Sequence, residues 1–175
     1  MKNNKIIILD GPDFSGKSTL ANEIAKQTKG HIIHASYNKN WDSISEYHRT
    51  LFKAANLMAE YQDVVIDRLC LSEYVYGTVF RGGSEYDPVE FLYQDIDWLN
   101  TNKAKLIWVY CSTTNSEELF QEGRKQREEM YSSMVEVNRV FEEIVEATDE
   151  AFHFKRYDFQ TDGKNLNKYV EELLK

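Results

Sequence analysis

The chain has 175 residues, 42% of them hydrophobic and 29% charged, with a formal net charge of -8. That length holds one domain with a sizeable core, and that composition excludes a disordered chain. The acidic balance disfavours a general polyanion binder, so any grip on phosphate must rest on a few locally clustered cations.

The first predicted strand, residues 6–10, is a continuous β-branched run of the kind buried on both sheet faces. It breaks into Gly11-Pro12-Asp13-Phe14-Ser15-Gly16-Lys17-Ser18-Thr19, and a helix is predicted over 17–29. The glycines let the backbone turn sharply and approach an oxygen closely. Successive N–H groups and the positive helix end then converge on one anion. This is the phosphate-binding P-loop spacing, Gly-x-x-x-x-Gly-Lys-Ser, in a strand–loop–helix setting. Residues 11–19 are expected to hold the phosphates of ATP. Lys17 would reach the β- and γ-phosphates, and Ser18 would sit on Mg²⁺. A chance Gly/Ser turn is the weaker reading, because motif, strand and helix agree.

Further strands are predicted at 31–35, 64–67, 106–111 and 152–157. Helical patterns fill the gaps at about 43–61, about 71–80, about 88–100, 128–146 and about 163–174. The alternation implies an α/β chain of the P-loop type, with a parallel sheet of about five strands flanked by helices. Ligands in such folds sit at the carboxyl ends of the strands. One domain spanning 1–175 is expected, with a small lid around 122–130. Cys70 and Cys111 flank apolar runs without metal-like spacing, which suggests buried thiols in a reducing compartment. No signal peptide and no stretch long enough to span a bilayer is recognised, so a cytoplasmic enzyme is expected.

The third strand, Val64-Val65-Ile66-Asp67, ends in Arg68. A carboxylate at a strand tip beside a P-loop can hold Mg²⁺ with Ser18, and an arginine there offers rigid donors for a phosphate. A surface ion pair is the plainer alternative. Regulatory GTPases place a glycine three positions after this aspartate, where Cys70 stands here, and Asn102-Lys103-Ala104-Lys105 lacks the aspartate of their guanine-reading motif.

These stretches resemble the thymidylate kinase family of nucleoside monophosphate kinases, in a compact form reminiscent of phage enzymes. The loop Asp10-Gly11-Pro12-Asp13-Phe14-Ser15-Gly16-Lys17-Ser18 is similar to the family's acidic-Gly-x-Asp-x-x-Gly-Lys-Ser/Thr segment. The run from Asp67-Arg68 through Ser72, Tyr76 and Arg81 is similar to its Asp-Arg, Ser-rich, Tyr and downstream Arg pattern. Glu122-Gly123-Arg124-Lys125-Gln126-Arg127 more weakly resembles its arginine-bearing lid. The resemblance implies that Asp13 contacts the acceptor sugar, Arg68 grips the acceptor monophosphate, and Asp67 supports Mg²⁺ or the acceptor. It places Arg81 near the acceptor phosphate or base, and Tyr76 and Phe80 beside the base. It also implies a homodimer. Phe14 and Leu69 depart from the family pattern near the acceptor pocket, which leaves base identity open.

Arg124 and Arg127 lie three apart on a predicted helix and share a face. They read equally as lid groups stabilising the transferring phosphoryl or as a solvated charged face. Ser72 and Tyr37 join the expected substrate wall by position. Trp41 and Phe52 suit that wall or the core. Tyr76 and Phe80, four apart, could both pack inward, and one of them is expected to reach substrate. His31, His34 and His48 have no metal-ligand spacing. The expected reaction is transfer of the ATP γ-phosphoryl to a deoxynucleoside 5′-monophosphate, most readily dTMP. The alternatives are a deoxynucleoside kinase, a hydroxymethyluracil-DNA kinase, which the acidic chain disfavours, and a non-catalytic nucleotide-binding module.

Overall fold

A computed structural model describes residues 4–38, 43–84, 105–112 and 131–175. Its centre is strand β1 (Lys5–Asp10), whose Ile6, Ile7, Ile8 and Leu9 are all fully buried. Removing each such side chain from water contributes about 1.5–3 kcal/mol, which fixes β1 in the middle of the sheet. β1 pairs in parallel with β3 (Val64–Asp67) on one side and β4 (Lys105–Ser112) on the other. The edges are β2 (His31–His34), beside β3, and β5 (Lys155–Asp158), beside β4. The order is therefore β2-β3-β1-β4-β5, all parallel.

Alternate residues of each strand face opposite layers, as the two-residue strand period requires. Ile7, Leu9, Val65, Val109 and Cys111 pack against α1 (Lys17–Thr28) and the C-terminal α5 (Leu166–Leu173). Ile6, Ile8, Ile66, Trp108 and Tyr110 face the other layer, built from α2 (Ile44–Met58), α3 (Cys70–Arg81) and α4 (Tyr131–Phe152). Phe52 of α2 is core rather than site wall. On α4, Met134, Val137, Val140, Phe141 and Val145 form one buried face, as their spacing predicts. Ser43 begins α2, its side chain accepting the Glu46 N–H at 3.3 Å.

One element differs from its predicted form. Residues 152–154 are not strand: α4 runs through Phe152, and β5 is Lys155–Asp158. His153 turns left-handed at φ 52°, its N–H bonded to the Asp149 carbonyl at 2.7 Å. Phe152 and Phe154 then close on Trp108 with ring centroids at 5.9 and 5.6 Å. The alternation of Phe152, His153 and Phe154 imitates a strand, but aromatic burial below the helix end decides the outcome. The C-terminal pattern also begins as a short 3-10 turn (Asp162–Asn165) before α5. The predicted helix at about 88–100 and Trp41 lie outside the described residues.

The chain leaves β1 toward β2 and β3, then crosses to β4 and β5. The strand order reverses at β1, so a crevice opens beyond its carboxyl end between β3 and β4. Residues 11–19 occupy that position.

Candidate functional site

Gly11 follows β1 with φ 152°, and a Cβ there would stand 2.1 Å from the Cys111 carbonyl oxygen. Only glycine lets the loop lie so close to the end of β4. Gly16 turns the chain into α1 at φ 76°. The first turn of α1 has no acidic residue and Gly16 no capping side chain, so among the described residues no local acid or cap competes there for an incoming anion. Phe14 is left-handed at φ 66°, with its ring at the exposed tip of the loop.

Lys17 opens α1 and is 5% exposed. Its Nζ donates to the Pro12 carbonyl and, at 3.2 Å, to Ser15 Oγ. Burial lowers its pKa to about 8, the Arg68 charge pushes the same way, and the Asp13 and Asp67 carboxylates oppose both. The lysine is folded back onto its own loop, filling from within the place where phosphate oxygens would take its protons.

Asp67 ends β3 beside this loop. Its Oδ2 accepts Ser18 Oγ–H at 3.1 Å and stands 3.1 Å from His34 Nδ1. Its Oδ1 is buried without a partner among the described residues. An unsatisfied carboxylate oxygen beside a serine hydroxyl is the hard-oxygen donor set that Mg²⁺ prefers, so the predicted metal pair fits the ion.

Arg68, the next residue, is also left-handed, at φ 72°. Its guanidinium pairs with the Asp13 carboxylate and lies 5.6 Å from the centre of the Tyr76 ring. The Tyr76 hydroxyl in turn accepts the Asp13 N–H at 3.0 Å. Loop, strand end and α3 thus meet at Asp13, Arg68 and Tyr76.

Beyond Arg68 lies an open cleft whose walls include Tyr37, Ile44, His48, Glu73, Tyr76 and Arg81. Arg81 pairs with the buried Glu73 carboxylate and stacks over Tyr37 at 4.1 Å. Burial lowers the His48 pKa to about 4, so its imidazole is neutral at physiological pH.

Of the predicted site residues, Lys17, Ser18, Asp67, Arg68, Ser72, Tyr76, Arg81 and Tyr37 converge around the loop and cleft. Phe80 does not line the cleft: its ring stacks on Tyr76 at 5.8 Å, so Tyr76 alone of that pair faces it. The Ser72 hydroxyl lines the cleft yet is spent on Asp10. Arg124 and Arg127, with the lid expected around 122–130, lie outside the described residues. Three contributors have no assigned role in the sequence reading. Glu73 could have been found from its spacing, two helical turns before Arg81. His48 shares a helix face with Ile44, four residues away. Phe159 follows β5 and packs so closely on the loop that a Cβ at Gly16 would stand 2.6 Å from its ring.

A parallel sheet whose central strand runs into a glycine–lysine phosphate loop at the reversal point defines a P-loop nucleotide-binding protein. The chain matches the ATPase family associated with various cellular activities (AAA) over residues 7–139 and belongs to that family. Over 76 residues it is 36% identical to the SPbeta prophage-derived uncharacterized protein YorR of Bacillus subtilis (strain 168). That stretch spans 43% of this chain and 44% of the relative. The structure of B. subtilis YorR in complex with phosphorylated GDP superposes with a TM-score of 0.72 at 24% identity, covering 97% of this chain and 95% of that one. Deoxyadenosine kinase from M. mycoides with bound dCTP gives 0.62 at 18% identity over 97% and 98% of the two chains. Thymidylate kinase from Candida albicans gives 0.61 at 17% over 97% and 92%. These likenesses establish the shared fold. Among the described residues no helix is long and apolar enough to cross a membrane.

Proposed function

We propose that the chain is a nucleoside monophosphate kinase that moves the γ-phosphoryl of ATP onto the 5′-phosphate of a deoxynucleotide, dTMP first among them. An acceptor phosphate oxygen attacks the γ-phosphorus, the bond to the β–γ bridging oxygen breaks, and ADP leaves with those electrons. Such a loose transition state asks the protein for alignment and charge stabilisation rather than covalent help. Lys17 and the loop N–H groups would hold the donor phosphates. Ser18 and Asp67 would hold Mg²⁺, which neutralises phosphate charge when bound. Arg68 would take the acceptor phosphate, with Asp13 and Tyr76 placing the sugar. Arg124 and Arg127 would close a lid within a single domain over 1–175.

The observation that carries this reading is the placement of Arg68. A guanidinium stands between the phosphate loop and the cleft, tied to the loop through Asp13. An acceptor that already bears a phosphate needs such a cation, and a bare hydroxyl does not. The fold neighbours named for deoxyadenosine and thymidylate kinases support nucleotide chemistry. A deoxynucleoside acceptor is the second reading, favoured by Asp13, whose carboxylate could draw a proton from a 5′-hydroxyl. The buried free thiols Cys70 and Cys111 suit a reducing cytoplasm.

Mass spectrometry of products after incubation with ATP, Mg²⁺ and a panel of nucleosides, nucleotides and hydroxymethyluracil-containing DNA tests the proposal. Formation of dTDP from dTMP is the expected result. Product from thymidine alone would establish the nucleoside reading. Nucleotide binding with no phosphorylated product from any acceptor would leave a binding module.

A further inference from the structure

We infer that Asp10 is a positioning residue, which holds the turn between β3 and α3 so that Arg68 stands against the phosphate loop. This rests on the reading of Arg68 as the acceptor cation. Asp10 ends β1 and is fully buried. Its Oδ1 accepts the Leu69 N–H at 3.0 Å, the Ser72 N–H at 3.1 Å and the Ser72 hydroxyl at 2.5 Å. Its Oδ2 accepts Trp108 Nε1–H at 3.2 Å from β4. One carboxylate thus joins three elements.

The pattern has a specific physical meaning. α3 starts after Leu69, a residue with no hydrogen-bonding side chain, at the position where a capping serine or aspartate ordinarily stands. Two orphan donors of that end are the cap N–H and the N–H three residues on, which a capping box satisfies with two local side chains. Here Asp10 satisfies both from another strand. Arg68 lies directly before this cap in the left-handed region, a conformation that L-residues avoid unless their surroundings impose it. Its own N–H is bonded to the Leu9 carbonyl at 2.9 Å, one residue before Asp10. The backbone on both sides of Arg68 is therefore tied to the last two residues of β1, and Gly11 of the loop follows at once. The acceptor cation is thus tied by these hydrogen bonds to the end of the strand from which the donor loop continues.

The experiment compares the wild-type protein with Asp10→Asn. Asparagine keeps the shape and one accepting oxygen, but turns an amide donor toward Trp108 or toward the α3 cap. The KM for dTMP is expected to rise roughly tenfold or more, the scale of a lost hydrogen bond to a charged group, with the KM for ATP changed less than about twofold. A crystal structure of the variant is expected to show Arg68 out of the left-handed region and away from Asp13. A merely structural role would lower Tm and leave the ratio of the two KM values unchanged. Should Asp10→Asn not fold, Ser72→Ala removes a single donor and is expected to shift Arg68 in the same direction by less. Arg68 unmoved in a folded variant, with the dTMP KM within twofold of wild type, overturns the inference. If the wild-type protein phosphorylates no nucleotide, the kinase reading fails, and the position of Arg68 in the variant still decides this one.

Discussion

Replacing Lys17 with methionine should make the nucleotide-free protein more stable while removing its turnover. The lysine is almost wholly buried, and burial lowers its pKa from 10.5 to about 8. A shift of that size corresponds to a destabilisation of about 3 kcal/mol at neutral pH. Its sign follows from the direction: below pH 8 both folded and unfolded chains carry the proton, and the penalty is complete. Between about 8 and 10.5 the folded chain gives up its proton first, and the penalty fades as pH rises. Methionine keeps the unbranched stem without the charge. It forfeits the donations to the Pro12 carbonyl and Ser15 Oγ, a loss of about 2 kcal/mol, although Ser15 Oγ–H still reaches Pro12 at 2.8 Å. The net gain at pH 7 is about 1 kcal/mol, or a rise in Tm of a few degrees. Thermal melts of both proteins without nucleotide, at pH 7 and pH 10, measure it, and the gap should shrink at the higher pH. ATP with Mg²⁺ should raise the Tm of the wild-type protein and leave the variant where it was. A variant that melts below wild type by the same margin at both pH values would refute the reasoning, because the buried charge would then not be destabilising.

Gly11→Ala must push the loop off the Cys111 carbonyl, since backbone cannot yield to a Cβ at 2.1 Å; ATP binding measured by calorimetry should be lost, and unchanged affinity would contradict the close approach of loop and β4. Gly16→Ala should cost about 1–2 kcal/mol for a left-handed alanine, plus a clash with the Phe159 ring that Phe159→Ala relieves; a urea-denaturation double-mutant cycle with no coupling between the two would remove that contact from the account. Asp67→Asn should raise the Mg²⁺ concentration for half-maximal turnover roughly tenfold or more, because a carboxylate oxygen is lost from the hard-ligand set; an unchanged Mg²⁺ titration would dismiss Asp67 as a ligand.

The parts of the molecule legible in the sequence are those governed by local rules. The β1 run and the glycine–lysine loop read correctly because periodicity and backbone freedom are properties of neighbours in the chain. The position of Asp67 and Arg68 beside the loop was legible because a strand tip in a parallel sheet has a known place relative to it. What escaped the sequence depends on partners far apart in it. Asp10 is separated from Ser72 by 62 positions and from Trp108 by 98, and no spacing rule links them. The 152–157 segment failed for the opposite reason: its local alternation is strand-like, and only the packing of Phe152 and Phe154 on Trp108 makes the first of them helical. A spacing of four on a helix likewise does not say which of the Tyr76 and Phe80 rings turns to the cleft.

On the proposed function, the charges of the site would let so acidic a chain handle polyanions selectively. No cation described in the site is idle: Lys17 is held by the Pro12 carbonyl, Arg68 by Asp13 and Arg81 by Glu73. An open basic patch would attract any polyanion at long range. Paired cations present little net field, and an anion gains only if its geometry outbids the carboxylate already in place. A phosphate bound by Arg68 would release Asp13, whose own N–H is tied to Tyr76 and whose neighbours form the loop. On the proposed reading, arrival of the acceptor would alter the charge near Lys17, on which both Arg68 and Asp13 act.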